Sequence, residues 1–292
     1  MKQILFHIIR ILFLRKGIWI RFFYNQRTRK LVYKSFYKEI FTKNQKQLLY
    51  LGEIHTQDPG SVYIKNIWNS FKDFKPDCIV YEQYIRQQSW VDTREGRMND
   101  VLLDNSMIDK LIRFYGETGY ADYLGRRSNN TTVMIEPSGE EIFDHLLKYY
   151  KKEEVFLFYC LKYLKHNNKG IKNNPETLEQ CFIDYHRQHN DLIFAKTGIM
   201  ITKENFLYYE KKLLNHSFDL YSKEVNQLVN EEDLSKYVTQ KIAKSELYFR
   251  DTKIVEGIYE LTKKYNKIAV VYGNTHYLSQ RKVIKEMYRW LV

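Results

Sequence analysis

The sequence predicts an α/β fold: a parallel-sheet core flanked by helices, carrying a mostly helical insertion or cap. Three observations lead there. Four apolar runs of strand length, QLLYL (47–51), CIVY (78–81), TTVMI (131–135) and KIAVVY (267–272), each run into Gly or Glu. The first two flank a helical pattern, and that spacing suits a parallel crossover. Only 4 Pro and 12 Gly in 292 residues argue against a loop-rich all-β chain.

Each element has a local reason. QLLYL stops at Gly52, and Asp58-Pro59-Gly60 is turn chemistry. Ser61 can cap a helix whose apolar positions are Val62, Ile64, Ile67, Trp68 and Phe71, and Lys75-Pro76-Asp77 stops it. CIVY leads into Glu82. Residues 83–104 are polar and aperiodic, a loop at a strand end, where active sites are often covered. Residues 105–124 read as helix with a break near Gly116–Gly119. TTVMI runs into Glu136-Pro137, and Ser138 with Glu141 fits a capping box. From Glu140 to about Asn230 the chain is helical in character, with breaks near 167–175 and 196–202, and it stays helical from 233 to 265. KIAVVY ends at Gly273, and a last helix is expected over 277–290. The expected organisation is a basic, aromatic-rich segment 1–45 and one α/β domain 46–292, with 138–240 as the helical insertion or cap.

Charge is uneven. The first fifty residues hold twelve Lys and Arg against the single acid Glu39, so +11 of the net +12 falls there. No apolar stretch between these cations approaches the roughly 20 residues of a membrane span. Arg10 interrupts any signal-peptide core, and no small-residue cleavage site follows. An anionic membrane surface suits cations mixed with Phe, Trp and Ile. A helix packed on the protein with solvated cations is the plainer reading. Nucleic-acid binding is disfavoured, since cations and aromatics alone make no recognisable module. The expected location is cytoplasmic, with peripheral membrane association through residues 1–45. Three cysteines without a CxxC pair read as reduced thiols.

The chemistry-bearing residues gather at strand ends: Gly52-Glu53-Ile54-His55, Glu82, Glu136 and Gly273-Asn274-Thr275-His276. In parallel α/β sheets, ligands bind outside the carboxyl ends of the strands. Glycine before each xxH motif is expected to let the chain turn off the strand and to open space beside the imidazole. His55, His276 and Glu82 could hold a divalent metal with open positions for water. Without metal, the same groups with Glu53 could act as general base and acid. Arg250, Glu136 and Asn274 are candidate substrate contacts. Glu136 could instead simply start a helix, and Arg250 could pair with a core carboxylate. His186 and His189, three apart, read as a solvated helix face. Gly116-Glu117-Thr118-Gly119 lacks the Lys and the setting of a phosphate loop.

The paired motifs GEIH and GNTH, with a Glu after the strand between them, resemble the superfamily of TraB/Tiki-type peptidases, erythromycin esterase-like enzymes and ChaN-type haem-binding proteins. LLYLGEIH is similar to the GExH form of the esterase-like and ChaN-like branches. FRDTKIVEGI, with Arg250-Asp251, resembles the helix before the last motif in TraB-like proteins. The likeness covers about half of the chain. It implies His55 and His276 as metal ligands or catalytic histidines and Glu53 as a base. It also implies Glu82 as a ligand or second carboxylate, and Arg250 as an anion or oxyanion contact.

Three functions follow as expectations. The first is hydrolysis of a peptide or ester bond in a small-molecule or peptide substrate, with or without a divalent metal. The second is binding of haem or another small ligand, with Tyr81, Tyr84 or Tyr272 near the strand ends as axial candidates. The third is a membrane-surface interaction protein with a vestigial site.

Overall fold

A computed structural model describes residues 36–82, 105–171, 176–215, 227–229 and 236–290. Residues 1–35, most of the segment 1–45 on which the membrane-surface expectation rests, and residues 83–104 with Tyr84, expected to form a loop, lie outside the described residues. The chain divides into two compact units, one containing the sheet and one comprising Pro137–Arg250.

The sheet unit is built on five strands: β1 (Tyr37–Lys43), β2 (Lys46–Glu53), β3 (Cys78–Tyr81), β4 (Thr131–Val133) and β5 (Lys267–Gly273). Their order is β1-β2-β5-β3-β4. β2, β5, β3 and β4 run parallel, while β1 pairs antiparallel with β2 at one edge. β2 and β5 lie in register, Glu53 opposite Gly273, so both GxxH motifs leave the sheet side by side. The sheet is central and parallel as the sequence predicts. β1 is the addition, since residues 37–43 read as part of the basic segment. A tight turn with Asn44 at φ 53° joins it to β2. Glu39, the single acid of that region, accepts hydrogen bonds from Tyr277 Oη at 2.6 Å and Arg281 Nη2 at 2.8 Å, tying β1 to the last helix.

Helices cover both faces. α1 (Val62–Phe74) starts at Ser61, whose hydroxyl accepts the Tyr63 N–H, and ends at Lys75 in the left-handed region. It packs with α2 (Asn105–Arg127) on one face, where Leu49, Leu51, Ile67, Phe71, Ile79, Ala121, Leu124 and Val271 form an apolar core. Each large aliphatic side chain buried there contributes roughly 1.5–3 kcal/mol.

The Pro137–Arg250 unit holds α3 (Gly139–Leu147), α4 (Lys152–Ile171), α5 (Glu176–Thr197), α6 (Lys203–Leu214) and the start of α7 (Val238–Thr262). The Ser138/Glu141 capping box is formed in full. A break at 148–151 separates α3 from α4, where continuous helix is expected, and α4 runs on through 167–171. His186 and His189 are not a solvated face. His186 Nδ1 hydrogen-bonds the Ile201 carbonyl at 3.1 Å, and His189 packs edge-on against Tyr185. The last helix, α8 (Asn274–Trp290), begins three residues earlier than the sequence suggests, directly at the end of β5. It packs against β1, β2 and β5. Among the described residues, no helix is long and apolar enough to cross a membrane.

Candidate functional site

The carboxyl ends of β2, β3 and β5 deliver Glu53, Glu82 and Gly273 to one edge of the sheet. His55 follows two residues after β2. His276 lies in the first turn of α8, and Glu136 follows β4 by three residues. Both imidazoles face one carboxylate. His276 Nε2 lies 3.5 Å from Glu82 Oε1, and His55 Nε2 lies 3.8 Å from Glu82 Oε2. Glu82 Oε2 also accepts the Gly273 N–H at 2.8 Å, which fixes the carboxylate at the β5–α8 junction.

Each ring is backed by a second carboxylate. His276 Nδ1 stands 2.6 Å from Oδ1 of Asp251, which has no solvent exposure. Asp251 also accepts hydrogen bonds from Ser279 Oγ and Gln280 Nε2, and Gln280 in turn accepts one from Tyr50 Oη at 2.9 Å. With Nδ1–H donated to Asp251, Nε2 of His276 is left as a lone-pair donor facing Glu82. His55 repeats the pattern: its Nδ1 lies 2.6 Å from Oε1 of buried Glu117, whose Oε2 accepts the Thr56 N–H at 2.9 Å. That hydrogen bond to Glu117 raises the His55 pKa above its ordinary value, against the opposing pull of burial. His276 is 4% exposed, whereas the His55 side chain is 48% exposed. One imidazole is therefore built in, and the other faces solvent.

Glu117 arrives through a backbone device. Gly116 sits at φ 64°, ψ −155° inside α2, a conformation only glycine adopts readily. A Cβ there would stand 2.8 Å from the Thr56 carbonyl. The kink thus brings α2 hard against the chain around His55. By contrast, neither motif glycine has positive φ. The backbone conformation at these two positions therefore does not demand glycine, and close approach is the reason for it at both. A Cβ on Gly52 would meet Tyr277 Cβ at 2.9 Å, and one on Gly273 would meet His55 Nε2 at 3.1 Å.

Glu53 is 1% exposed, and both of its carboxyl oxygens are buried without a hydrogen-bond partner among the described residues. Burial, helped by the nearby Glu117 charge, pushes its pKa up to about 9. A carboxyl with that pKa holds its proton at neutral pH, the state of a general acid.

Glu82, Glu136 and His276 each offer a ligand atom, and these atoms lie within 4.8 Å of one another. Two ligand atoms each 2.1 Å from a tetrahedral ion stand about 3.4 Å apart. The 3.5 Å separation of His276 Nε2 and Glu82 Oε1 fits that spacing. Mixed imidazole and carboxylate donors with a carboxylate behind the His suit a divalent transition metal. Glu136 thus joins Glu82 and His276, while His55 stands at the other oxygen of Glu82. Asn274 is buried at the start of α8, its Oδ1 against Gly52. Arg250 lies in the helical unit, half-buried on α7, where its charge lowers the pKa of buried Tyr159 against the larger effect of burial. Tyr81 and Tyr272, the axial-ligand candidates within the described residues, are buried, and burial raises the Tyr81 pKa.

Sequence reasoning missed Glu117 and the role of Asp251. The visible trace of the first was the helix break at Gly116, and of the second its place beside Arg250 in FRDTKIVEGI. No family model matches the chain, and neither does any curated protein or solved structure.

Proposed function

We propose that the protein is a hydrolase of peptide or ester bonds, with a divalent metal held by Glu82, Glu136 and His276 and with His55 as the proton-transfer group. The observation that carries this reading is the grouping of those three ligand atoms within 4.8 Å, with Asp251 behind His276. A metal bound there would polarise the scissile carbonyl and acidify water.

The chain's own residues supply the rest. His55 Nε2 takes a proton from the attacking water, and Glu117 at Nδ1 stabilises the imidazolium that forms. As water adds to the carbonyl carbon and the C–N or C–O bond breaks, His55 returns that proton to the leaving amine or alcohol. Asp251, Ser279, Gln280 and Tyr50 hold the His276 ring in one orientation. The paired GEIH and GNTH motifs support the same reading through their likeness to TraB/Tiki-type peptidases and esterase-like enzymes. A screen of ester and peptide substrates with the metal-reconstituted protein tests it. Turnover that disappears in His276→Ala, with far-UV circular dichroism unchanged, is expected. Turnover retained in that variant would overturn the reading.

A further inference from the structure

Glu82 has two carboxylate oxygens, and a different imidazole stands beside each. We infer that the site is dinuclear: Glu82 bridges two divalent cations, the second held by Oε2 of Glu82 and Nε2 of His55. This inference rests on the metal reading of the preceding section; with the second ion bound, His55 Nε2 is a ligand, and the proton-transfer role given to His55 above belongs to the protein carrying one ion.

Four observations carry it. First, the two sides of Glu82 repeat one another. An imidazole Nε2 faces each oxygen, at 3.5 Å and 3.8 Å, and each ring has its Nδ1 on a buried carboxylate at 2.6 Å. Both Nε2 atoms are thereby presented as lone-pair donors, which is the arrangement of metal-ligating histidines. Second, 3.8 Å is too long for a hydrogen bond but fits two ligands of one ion. Third, Gly273 leaves the needed space. A Cβ there would stand 3.1 Å from His55 Nε2 and 3.3 Å from Glu82 Oε2, filling the gap beside both atoms. Its φ is not positive, so the backbone conformation does not require glycine. The Gly273 N–H takes one lone pair of Oε2, and a carboxylate oxygen has another to give.

Fourth, four carboxylates, Glu82, Glu117, Glu136 and Asp251, lie around the two imidazoles, a donor-rich setting for divalent cations. Paired metals about 3.5–4 Å apart, joined by shared ligands, are a recurring hydrolytic arrangement. The two positions differ in access. His276 is buried, so the first ion is held tightly; the His55 side chain is half exposed, so the second ion exchanges with solvent and has open positions for substrate.

Manganese(II) distinguishes the outcomes because coupled and isolated ions differ in electron paramagnetic resonance. Metal-free protein is titrated with Mn²⁺ by calorimetry, and the loaded samples are examined by resonance. Two equivalents are expected in wild type, the second at least tenfold weaker, with a spin-coupled spectrum at saturation. His55→Ala, and independently Gly273→Ala, should each keep one equivalent and show the six-line spectrum of an isolated ion. One equivalent in wild type, unchanged by His55→Ala, overturns the dinuclear inference and leaves the single-metal reading standing. No binding in wild type overturns both.

Discussion

The carboxylate of Asp251, wholly buried, lies 2.6 Å from Nδ1 of His276. One side chain from α7 thus decides which nitrogen of a β5–α8 junction residue faces the site. Asp251→Asn should keep the volume but lose the anion that holds the Nδ1–H tautomer. Loss of such a partner typically costs about 10–100-fold in metal affinity or activity. Divalent-ion titration and turnover measured together check this. A variant as active as wild type would show that the ring is oriented by something else.

Glu53 gives a pH signature. Its pKa is raised to about 9 in the fold, while the unfolded chain has an ordinary carboxyl. Below the unfolded pKa both states are protonated, and the group has no effect on stability. Between there and pH 9 only the unfolded state releases the proton, so stability falls as pH rises, and above pH 9 the cost is constant. At pH 7 the cost is on the order of 3 kcal/mol, taking 1.36 kcal/mol per pH unit. Glu53→Gln should remove this slope, so that denaturant melts of the variant gain on wild type from pH 5 to pH 9. Parallel curves for the two proteins would refute the assignment.

Gly116 is a structural test of how Glu117 is delivered. Alanine would take a conformation costing about 1–3 kcal/mol and would press its Cβ on the Thr56 carbonyl. Gly116→Ala should therefore lower the thermal midpoint. It should also weaken the Glu117–His55 contact, read as a shift of the His55 ring resonances in NMR. An unchanged midpoint and unchanged ring shifts would mean that the kink is not what positions Glu117.

The sheet was legible because QLLYL, CIVY and KIAVVY are unbroken apolar runs, as strands buried on both faces must be. β1 was not. YKEIFTK is an edge strand whose alternation is diluted by exposed Lys38 and half-buried Glu39 and Lys43, and it follows a basic stretch that draws attention elsewhere. The residues at strand ends, Glu53, Glu82 and Glu136, could be placed from the strand pattern alone. Glu117 and Asp251 could not, because helices from distant parts of the chain bring them in, 62 residues from His55 and 25 from His276. The glycines show the same limit. Their presence was plain, but the close approach that demands them belongs to tertiary packing against Tyr277 and His55.

The claim underlying all of this is that Glu82, with an imidazole at each of its oxygens, holds a cation together with Glu136 and His276. Calorimetric titration of metal-free wild type and Glu82→Gln with Zn²⁺ tests it most directly. Wild type should bind at least one equivalent, and the variant should lose that binding while its far-UV spectrum stays the same. Equal binding by both proteins, or none by wild type, would contradict the account.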